Sequence, residues 1–419
     1  TQPTLSNINL KIYPGEKVMI AGPSGSGKST LAHCINALIP CSFGGDVTGT
    51  LIVDGKNPSK EGVFGMSKKV GTVLQDTDGQ FIGLTVAEDI AFAMENDRVA
   101  QDEMKRRVDA VAELVSVKEL KTHSPRELSG GQKQRVSMAG VMVDEVPILL
   151  FDEPLANLDP ATGKSAIDLI DHIHKERKAT ILIIEHRLED ALYRDVDRII
   201  LIADGQIVAD MKPDEILCTD MLVRNGIREP LYISALRHAG CQLIPQACPQ
   251  HVESMDLSSY REQIRNWFDH VDLPQKKAQT PMELEVEGVS YAYVQGCPVL
   301  ENINFGIHKG EMVSIVGKNG AGKSTLSSLI CGFMEPDEGV IRLAGEDISG
   351  WSVKERGEKI GLVMQSPGQM ISKPMIYDEV ALGLLVRGVP EEEIRERVNQ
   401  VLKTCGLYQM RNWPVSALS

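Results

Sequence analysis

The 419-residue chain has no apolar run long enough to cross a bilayer, since stretches such as residues 181–184 have strand length and a membrane helix needs about 20 apolar residues. It also lacks a basic excess. Its 58 acidic and 44 basic residues give a formal net charge of −14, which argues against a nucleic-acid partner, because sequence-independent binding requires a basic face. Nothing at the N-terminus resembles a signal peptide, since Thr1-Gln2-Pro3 leads into an apolar strand pattern.

The eight cysteines form no Cys-x-x-Cys pair and no metal-ligand spacing, which favours reduced thiols that pack as small apolar side chains. The composition, 42% hydrophobic and 24% charged, is that of a globular protein with room for two or three domains.

An internal repeat divides the chain into two copies. Residues 3–10 match residues 298–305, and residues 22–30 match residues 317–325, both at an offset of 295 (298 against 3). Further on the offset is 290 (365 against 75), and it stays so at Leu418-Ser419, the counterpart of Leu128-Ser129. The second copy is therefore expected to lack five residues in a loop.

The two copies set the expected domain boundaries: a first domain at 1–225, a tail and linker at 226–281, and a second domain at 282–419. The counterpart of Tyr293 would fall before Thr1, so we expect the first domain to lack its N-terminal strand. The second copy stops at Leu418-Ser419, where the first continues for about a hundred residues, so we expect the second domain to be incomplete.

Each copy contains a glycine-rich loop of the form Gly-x-x-x-x-Gly-Lys-Ser between an apolar, strand-like run (18–21 and 313–316) and a helix-compatible stretch. Such a loop turns backbone N–H groups around the β- and γ-phosphates, its Lys neutralises phosphate charge, and its Ser hydroxyl ligates Mg²⁺. Because the motif occurs twice at the repeat offset, a glycine-rich turn that matches by chance is excluded. The two loops predict a P-loop nucleoside triphosphatase. The expected ATP-binding residues of the loops are Gly22, Pro23, Ser24, Gly25, Ser26, Gly27, Lys28, Ser29, Thr30, Gly317, Lys318, Asn319, Gly320, Ala321, Gly322, Lys323, Ser324 and Thr325.

Two adjacent carboxylates follow the buried run at 148–151. Asp152, at the strand tip, can hold Mg²⁺ through water, and Glu153 can orient or deprotonate the water that attacks the γ-phosphate. An isolated Asp-Glu pair would more simply be a solvated strand end, but its place downstream of a P-loop favours catalysis.

The segment Leu128-Ser129-Gly130-Gly131-Gln132 opens a helix-like stretch. It resembles the signature of the ATP-binding cassette (ABC) family, in which a helix N-terminus meets the γ-phosphate of ATP held by the opposite domain. The resemblance implies an α/β fold of the P-loop NTPase class: an ABC-type nucleotide-binding domain in two tandem copies, the second incomplete. It also implies an ATPase that uses ATP and Mg²⁺.

Other residues match family positions by the same resemblance. Gln75 and its counterpart Gln365 resemble the glutamine that senses Mg²⁺ and the attacking water, and His186, after the run 181–184, resembles the switch histidine that contacts the γ-phosphate. Tyr293 resembles the aromatic that stacks on adenine, although Tyr291 could take that role. Residues 155–159 resemble the loop that crosses between the sites. The implied catalytic residues are Glu153, His186 and Gln75, and the implied Mg²⁺ ligands are Ser29, Gln75, Asp152, Ser324 and Gln365.

The family mechanism implies that the two domains of this chain pair with each other. One composite site would join the first loop, Gln75, Asp152, Glu153 and His186 to the signature of the second domain. The other would join the second loop and Gln365 to residues 128–132.

Local sequence narrows the resemblance further. Residues 75–81 and 84–89 resemble energy-coupling-factor ATPases, and residues 185–189 and 369–373 resemble their fused double-ATPase member for thiamine-precursor uptake. The implied location is the cytoplasmic face of the cell membrane, as a peripheral subunit. An integral-membrane subunit would dock on the grooves at 75–95 and 365–387, and a separate membrane subunit would capture the substrate.

Two alternatives remain at this point. A tandem ATPase of a sugar importer would carry the same motifs. A double-cassette ATPase acting on the ribosome would need a long, charged, helical linker. The charges of residues 226–281 are balanced, and helix there is interrupted by Pro230, Pro245, Pro249 and Pro274.

Overall fold

The structure, a computed structural model, describes residues 3–74, 78–156, 158–271, 280–364 and 367–418. Its internal contacts divide the chain into two compact units. Unit 1 comprises residues 1–276 with 317–319, and unit 2 comprises residues 277–316 and 320–419.

Unit 1 is built around a six-stranded sheet. Its strands are β1 (Lys17–Ala21), β2 (Val70–Val73), β3 (Ile148–Asp152), β4 (Thr180–Ile184), β5 (Arg198–Ala203) and β6 (Gln206–Met211). Their order is β2-β3-β4-β1-β5-β6, and all neighbours are parallel except β5 and β6. The central strands β1 and β4 are buried along their whole length, because helices cover both faces of a parallel sheet.

The helices of unit 1 pack on both faces of this sheet, and no helix in the described ranges is long and apolar enough to cross a membrane. Side-chain caps begin α4, α6 and α7, at Thr85, Ser129 and Asp159 respectively. The helices are α1 (Lys28–Ile35), α2 (Leu38–Cys41), α3 (Pro58–Ser67), α4 (Val86–Asn96), α5 (Gln101–Leu114), α6 (Gly130–Met142), α7 (Pro160–Arg177), α8 (Leu188–Ala191), α9 (Pro213–Ile216), α10 (Met221–Arg224), α11 (Leu231–His238) and α12 (Arg261–His270).

Much of the predicted tail and linker packs on unit 1. Ile233, Leu236 and Tyr260 are buried in one apolar cluster with Met19 of β1 and Leu201 of β5. An ion pair between the half-buried Arg237 and the buried Glu229, with 3.0 Å between Nε and Oε2, adds a charged contact to this segment. The segment therefore contributes to the core of unit 1.

Unit 2 contains a four-stranded antiparallel sheet of order β10-β9-β7-β8. Its strands are β7 (Met282–Val294), β8 (Cys297–His308), β9 (Glu338–Leu343) and β10 (Glu346–Asp347). Its helices are α13 (Lys323–Cys331), α14 (Val353–Gly357), α15 (Ile376–Val386) and α16 (Glu391–Thr404). Helix α13 packs on the sheet, and α15 and α16 form a separate apolar cluster.

A cavity in unit 1 is lined by residues that correspond to two strands of unit 2. In unit 2, β7 pairs with both β8 and β9. The residues of unit 1 that correspond to β8 and β9, near 8–12 and 50–53, form no strands in the described ranges. They line a cavity of about 700 Å³, whose apolar walls include Ile8, Leu10 and Leu51. These residues correspond to the two strands that flank β7 in unit 2.

The prediction that residues 313–316 form a strand is wrong. Their counterpart β1 is held between β4 and β5, but in the described part of unit 2 no strand pairs with residues 312–316. Met312 is consequently 96% exposed and Val316 85% exposed. A strand needs neighbours for its backbone hydrogen bonds, so an apolar run alone does not form one.

The five-residue difference between the copies lies between the P-loop helix and a glycine turn. Helices α1 and α13 begin at an offset of 295 (323 against 28), whereas Gly49 (φ 88°) and Gly339 (φ 89°) make the same left-handed turn at an offset of 290. The extra residues of the first copy therefore lie within residues 36–48, which contain α2, in agreement with the predicted loop.

A buried ion pair ties the start of β1 to α7. Lys17 Nζ lies 2.5 Å from Asp171 Oδ1, and Lys175 contacts the other oxygen from a more exposed position. Burial opposes the ionisation of Asp171, but the hydrogen bonds from both lysines outweigh it and hold its pKa below the ordinary value. The ionised carboxylate therefore contributes stability at pH values above its unfolded pKa, and this contribution is lost as the pH falls through the folded pKa.

At pH 7 we expect Lys17→Ala to lower the free energy of unfolding of unit 1 by about 3–5 kcal/mol, because it leaves Asp171 buried without its inner partner. The matched change Lys175→Ala should cost less than about 1 kcal/mol, since that pair is exposed to solvent. Urea unfolding, monitored by far-UV circular dichroism, measures the free energy of unfolding of both variants. Equal losses of unfolding free energy in the two variants would contradict the assignment of Lys17–Asp171 as the stabilising pair.

Candidate functional site

Three parallel strands end at one edge of the unit 1 sheet. The order β3-β4-β1 places the ends of these strands, at Asp152, Ile184 and Ala21, side by side. Ligands of open α/β sheets bind beyond the carboxyl ends of the strands. The first glycine-rich loop, the Asp152-Glu153 pair and His186 are therefore brought together, although they lie far apart in the sequence.

The first glycine-rich loop leads directly into α1. Gly25 (φ 77°) and Gly27 (φ 102°) are left-handed, and a Cβ on Gly27 would lie 2.6 Å from the Leu5 side chain. Lys28 is buried, and its Nζ donates to the carbonyl oxygens of Gly22 (2.8 Å) and Pro23 (2.9 Å). The loop therefore folds around the lysine ammonium.

The ammonium of Lys28 lies in a partly desolvated, acidic setting. Burial lowers its pKa, and the negative charges of Glu153 and Asp152 oppose that shift. An anionic group in the loop would add favourable Coulombic interactions with a cation that has already lost part of its hydration. This is the electrostatic requirement of a phosphate site.

The loop fits a nucleotide phosphate in two further respects. Gly27, the N-cap of α1, provides no side-chain cap, so the first N–H groups of this helix have no side-chain partner there. Ser26 Oγ is buried and makes no hydrogen bond to the described residues. Both features leave polar groups available for phosphate oxygens.

The oxygen donors for a magnesium ion also lie at this edge. Ser29 Oγ is 3.4 Å from Asp152 Oδ1, and burial raises the pKa of Asp152. A hydroxyl and a carboxylate are the hard oxygen ligands that Mg²⁺ prefers, together with phosphate and water. The pair therefore fits a Mg²⁺ that is shared with a bound nucleotide.

Glu153 and His186 face each other beside the loop. His186 Nδ1 lies 3.7 Å from Glu153 Oε1, and the imidazole is half exposed. Glu153 has a left-handed backbone (φ 49°), which for a non-glycine residue costs about 1–3 kcal/mol and occurs often at functional sites. A carboxylate and an imidazole on the open side of a phosphate loop can orient a water molecule and contact a γ-phosphate.

The predicted signature begins helix α6. Ser129 caps the helix in a capping box with Gln132, while Ser129 and Gly130 are exposed and Leu128 is buried. A Cβ on Gly131 would lie 2.5 Å from Thr162 Cγ2 on α7, which explains the glycine at this position. The exposed helix N-terminus has the local geometry that anion binding requires.

The second glycine-rich loop also ends in a helix. Gly320 (φ 82°) and Gly322 (φ 85°) repeat the left-handed turns of Gly25 and Gly27, and α13 follows. Within the described residues of unit 2, this loop has no counterpart of Asp152, Glu153 or His186 beside it.

The two tyrosines near this helix differ in exposure. Tyr293 is exposed, and its Oη lies 3.0 Å from Thr325 Oγ1 on the first turn of α13, whereas Tyr291 packs against the apolar cluster of the sheet. Their rings meet edge to face, with 5.1 Å between the centroids. This arrangement favours Tyr293 as the residue that is free to contact a base.

Gln75 and Gln365, predicted to sense the metal and water, and Asn157 of the crossing loop lie outside the described residues. Asp159 of that loop caps α7, where its carboxylate accepts hydrogen bonds from Thr162 Oγ1 and two main-chain N–H groups.

The structure also places three polar residues at this edge that the sequence analysis did not assign. Glu185 and Arg187 flank His186, and Gln134 of α6 donates to the carbonyl oxygen of Pro154. The sequence did contain a signal for Glu185. It directly follows a five-residue buried strand, and a carboxylate in such a position requires hydrogen-bond partners in the core.

Comparison with known proteins identifies close relatives. A family model described as "ABC transporter" matches residues 5–156 and 300–419, and one described as "ATP-binding cassette cobalt transporter" matches residues 219–291. An ABC transporter ATP-binding protein of Clostridium perfringens is 55% identical over this whole chain and 74% of its own length. One of Enterococcus faecalis is 56% identical with the same coverage. The solved structure of "cbiO1 from Clostridium perfringens: Part of the ABC transporter complex cbiONQ" is 30% identical, covering 56% of this chain and 92% of its own, with a TM-score of 0.49.

Proposed function

Since the chain belongs to the ATP-binding proteins of ABC transporters, which are P-loop ATPases, we propose that it powers a membrane importer of the energy-coupling-factor type. Family membership confirms the fold class and the ATPase activity predicted from the signature. The observation that supports the assignment of hydrolysis to unit 1 is the convergence of Lys28, Asp152, Glu153 and His186 at one edge of its sheet.

In this proposal different residues of unit 1 bind the phosphates, bind Mg²⁺ and catalyse hydrolysis. Lys28 and the loop N–H groups hold the phosphates, and Ser29 and Asp152 hold Mg²⁺. Glu153 orients or deprotonates the attacking water, and His186 contacts the γ-phosphate. Bound Mg-ATP supplies the phosphoanhydride bond that is cleaved. Gln75 remains a proposed metal and water sensor.

We further propose that hydrolysis is coupled to pairing of the two domains. Residues 128–132 would complete the site built on the second loop, with Tyr293 against adenine and Ser324 and Gln365 at its Mg²⁺. The signature of the second domain would complete the site of unit 1. ATP would then close the domains, and hydrolysis would reopen them.

An exposed apolar surface supports a membrane partner. Ile82 and Leu84 precede α4, within the stretch 75–95, and Leu84 is 82% exposed. In the second copy Leu385 and Val386, within residues 365–387, are exposed in the same way. Large exposed apolar side chains beside a functional site are typical of an interaction surface. We propose that both stretches receive a transmembrane subunit and hold the chain at the cytoplasmic face of the membrane.

The transported molecule is the second part of the proposal. The resemblance of residues 185–189 and 369–373 to the fused thiamine-precursor ATPase favours a vitamin precursor, captured by a separate membrane subunit. The family model at residues 219–291, described as a cobalt transporter, favours cobalt as a second candidate. Uptake of labelled thiamine precursor and of labelled Co²⁺, measured in cells with and without the gene, distinguishes the two.

We expect Leu84→Glu to reduce co-purification of the membrane subunit by about tenfold or more, because it loses the burial of a leucine and brings a carboxylate into an apolar contact. Affinity purification from detergent-solubilised membranes, with quantification of the partner, measures the effect. The control is Phe64→Glu, which changes a similarly exposed side chain outside the predicted groove. A partner lost equally from both variants, or from neither, would contradict the proposed surface.

A further inference from the structure

A fully buried carboxylate at the functional edge takes no part in the chemistry proposed above. Glu185 follows β4, the strand that lies between β3 and β1, and its exposure is 0%. Burial raises its pKa, and the hydrogen bonds from the main-chain N–H groups of Arg187 and His186 oppose that shift. A carboxylate in this position is costly unless its oxygens are well occupied by donors, which indicates a specific role.

The oxygens of Glu185 join two loops. Oε2 accepts the N–H of Leu155 (3.2 Å), in the segment that follows Glu153. Oε1 accepts the N–H groups of His186 (2.9 Å) and Arg187 (3.1 Å) and lies 3.3 Å from the His186 Nδ1 atom. One carboxylate therefore holds both the segment after the predicted catalytic glutamate and the loop of the switch histidine.

Arg187 holds the same peptide from the opposite side. Its Nη1 donates to the carbonyl oxygens of Leu155 (2.7 Å) and Leu158 (3.3 Å), while Nη2 lies 2.6 Å from Asp190 Oδ2. The N–H and the C=O of Leu155 are thus bound by the two residues that flank His186. All of the bonds from Glu185 and Arg187 to this loop go to main-chain atoms of Leu155 and Leu158.

The clamp lies next to the strained backbone of Glu153. The N–H of Glu153 donates to Ile184 O (2.9 Å), which fixes the residue from the side of β4. Pro154 has no N–H, so Leu155 is the first residue after Glu153 whose N–H can be fixed. A left-handed non-glycine residue persists only where the surrounding structure determines its conformation, and Glu153 is fixed on one side by the sheet and on the other by Leu155.

We propose that Glu185 is a positioning residue, which acts together with Arg187. The two residues clamp the Leu155 peptide to the switch loop and so hold the side chains of Glu153 and His186 in fixed positions relative to each other. The proposal rests on the hydrolytic role of those two residues. Glu185 itself touches neither nucleotide nor water in this mechanism. It acts through main-chain hydrogen bonds.

The test uses the 419-residue chain and the variants Glu185→Gln and Arg187→Ala, with Glu119→Gln as an exposed control. Hydrogen–deuterium exchange followed by mass spectrometry is read on the peptides covering residues 153–159 and 184–190. We expect exchange in these peptides to rise about tenfold or more in both variants, since each loses bonds to a charged group. Exchange in β1 should stay unchanged, which a general loss of stability would not allow.

The second readout separates binding from hydrolysis. Mg-ATP affinity of both variants should remain within about threefold of the parent, because the phosphate loop is untouched, while the single-turnover rate of hydrolysis falls about tenfold or more. Unchanged exchange in both variants would overturn the clamp, and raised exchange with an unchanged hydrolysis rate would overturn its positioning role. If the parent chain showed no hydrolysis, the hydrolytic role proposed for Glu153 and His186 in this chain would fail, while the exchange data would still decide the clamp. Arg187→Ala keeps the test valid if Glu185→Gln does not fold.

Discussion

Substitution of Glu153 by Gln should lower ATP hydrolysis at the unit 1 site by about 10²- to 10³-fold, the usual contribution of a general base. The change preserves the size of the side chain but replaces the carboxylate, which would accept the proton of the attacking water, by a neutral amide. ATP should then remain intact on the protein. Chromatography of bound nucleotide after incubation with labelled ATP measures this directly, because the parent chain releases ADP and the variant retains ATP.

Substitution of the neighbouring carboxylate, Asp152, should have a different effect, which shows that the loss of hydrolysis is specific to Glu153. Asp152→Asn removes a proposed metal ligand beside Ser29, so it should weaken Mg²⁺-dependent nucleotide binding, whereas Glu153→Gln should leave binding within about twofold. In the assembled transporter, Glu153→Gln should also stop uptake. Transport that survived this change would show that the site on the second loop is the productive one.

Substitution of Lys28 by Ala should weaken Mg-ATP binding to unit 1 by about 10- to 100-fold, since each hydrogen bond to a charged group contributes about 1.5–3 kcal/mol. Part of the loss concerns the loop itself. Lys28 Nζ donates to the carbonyl oxygens of Gly22 and Pro23, so the variant also loses the contacts that fold the loop. Titration with a fluorescent ATP analogue measures the affinity.

Because the chain has two P-loops, the Lys28 measurement is made in a Lys323→Ala background, which isolates the unit 1 site. The matched control is Lys60→Ala, an exposed lysine on α3. Lys60→Ala removes one positive charge from the same unit. Its affinity for the ATP analogue should equal that of the Lys323→Ala variant alone. If Lys28→Ala bound as tightly as this control, the first loop would not be the phosphate site.

The parts of the site that the sequence predicted are those encoded locally. Lys28, Asp152 and the helix that begins after Ser129 each follow from residue types at fixed spacing within one short segment. The strand ends that carry them converge because parallel strands align their carboxyl ends. The apolar runs at 18–21, 148–151 and 181–184 correspond to β1, β3 and β4, the strands whose ends form the site.

The parts that could not be predicted depend on contacts between distant segments. Residues 313–316 have the same strand pattern as β1, yet they form no strand, because strand formation depends on partners elsewhere in the chain. The clamp on Leu155 is similar: Glu185 lies thirty residues further along the chain (185 minus 155), and no spacing rule connects the two. Glu185 could be suspected as a buried charge, but its partners could not be identified.

The order of the strands in the unit 1 sheet also affects how this domain is synthesised. In the first copy β1 pairs with β4, and Lys17 aligns with Ile181, 164 residues later (181 minus 17). At about 5–20 residues per second, a ribosome needs roughly 8 to 30 seconds to make that partner. During this interval the central strand of the nascent domain has unpaired main-chain N–H and C=O groups, because both of its neighbours, β4 and β5, lie later in the chain. A chaperone could cover these groups until the partners are made.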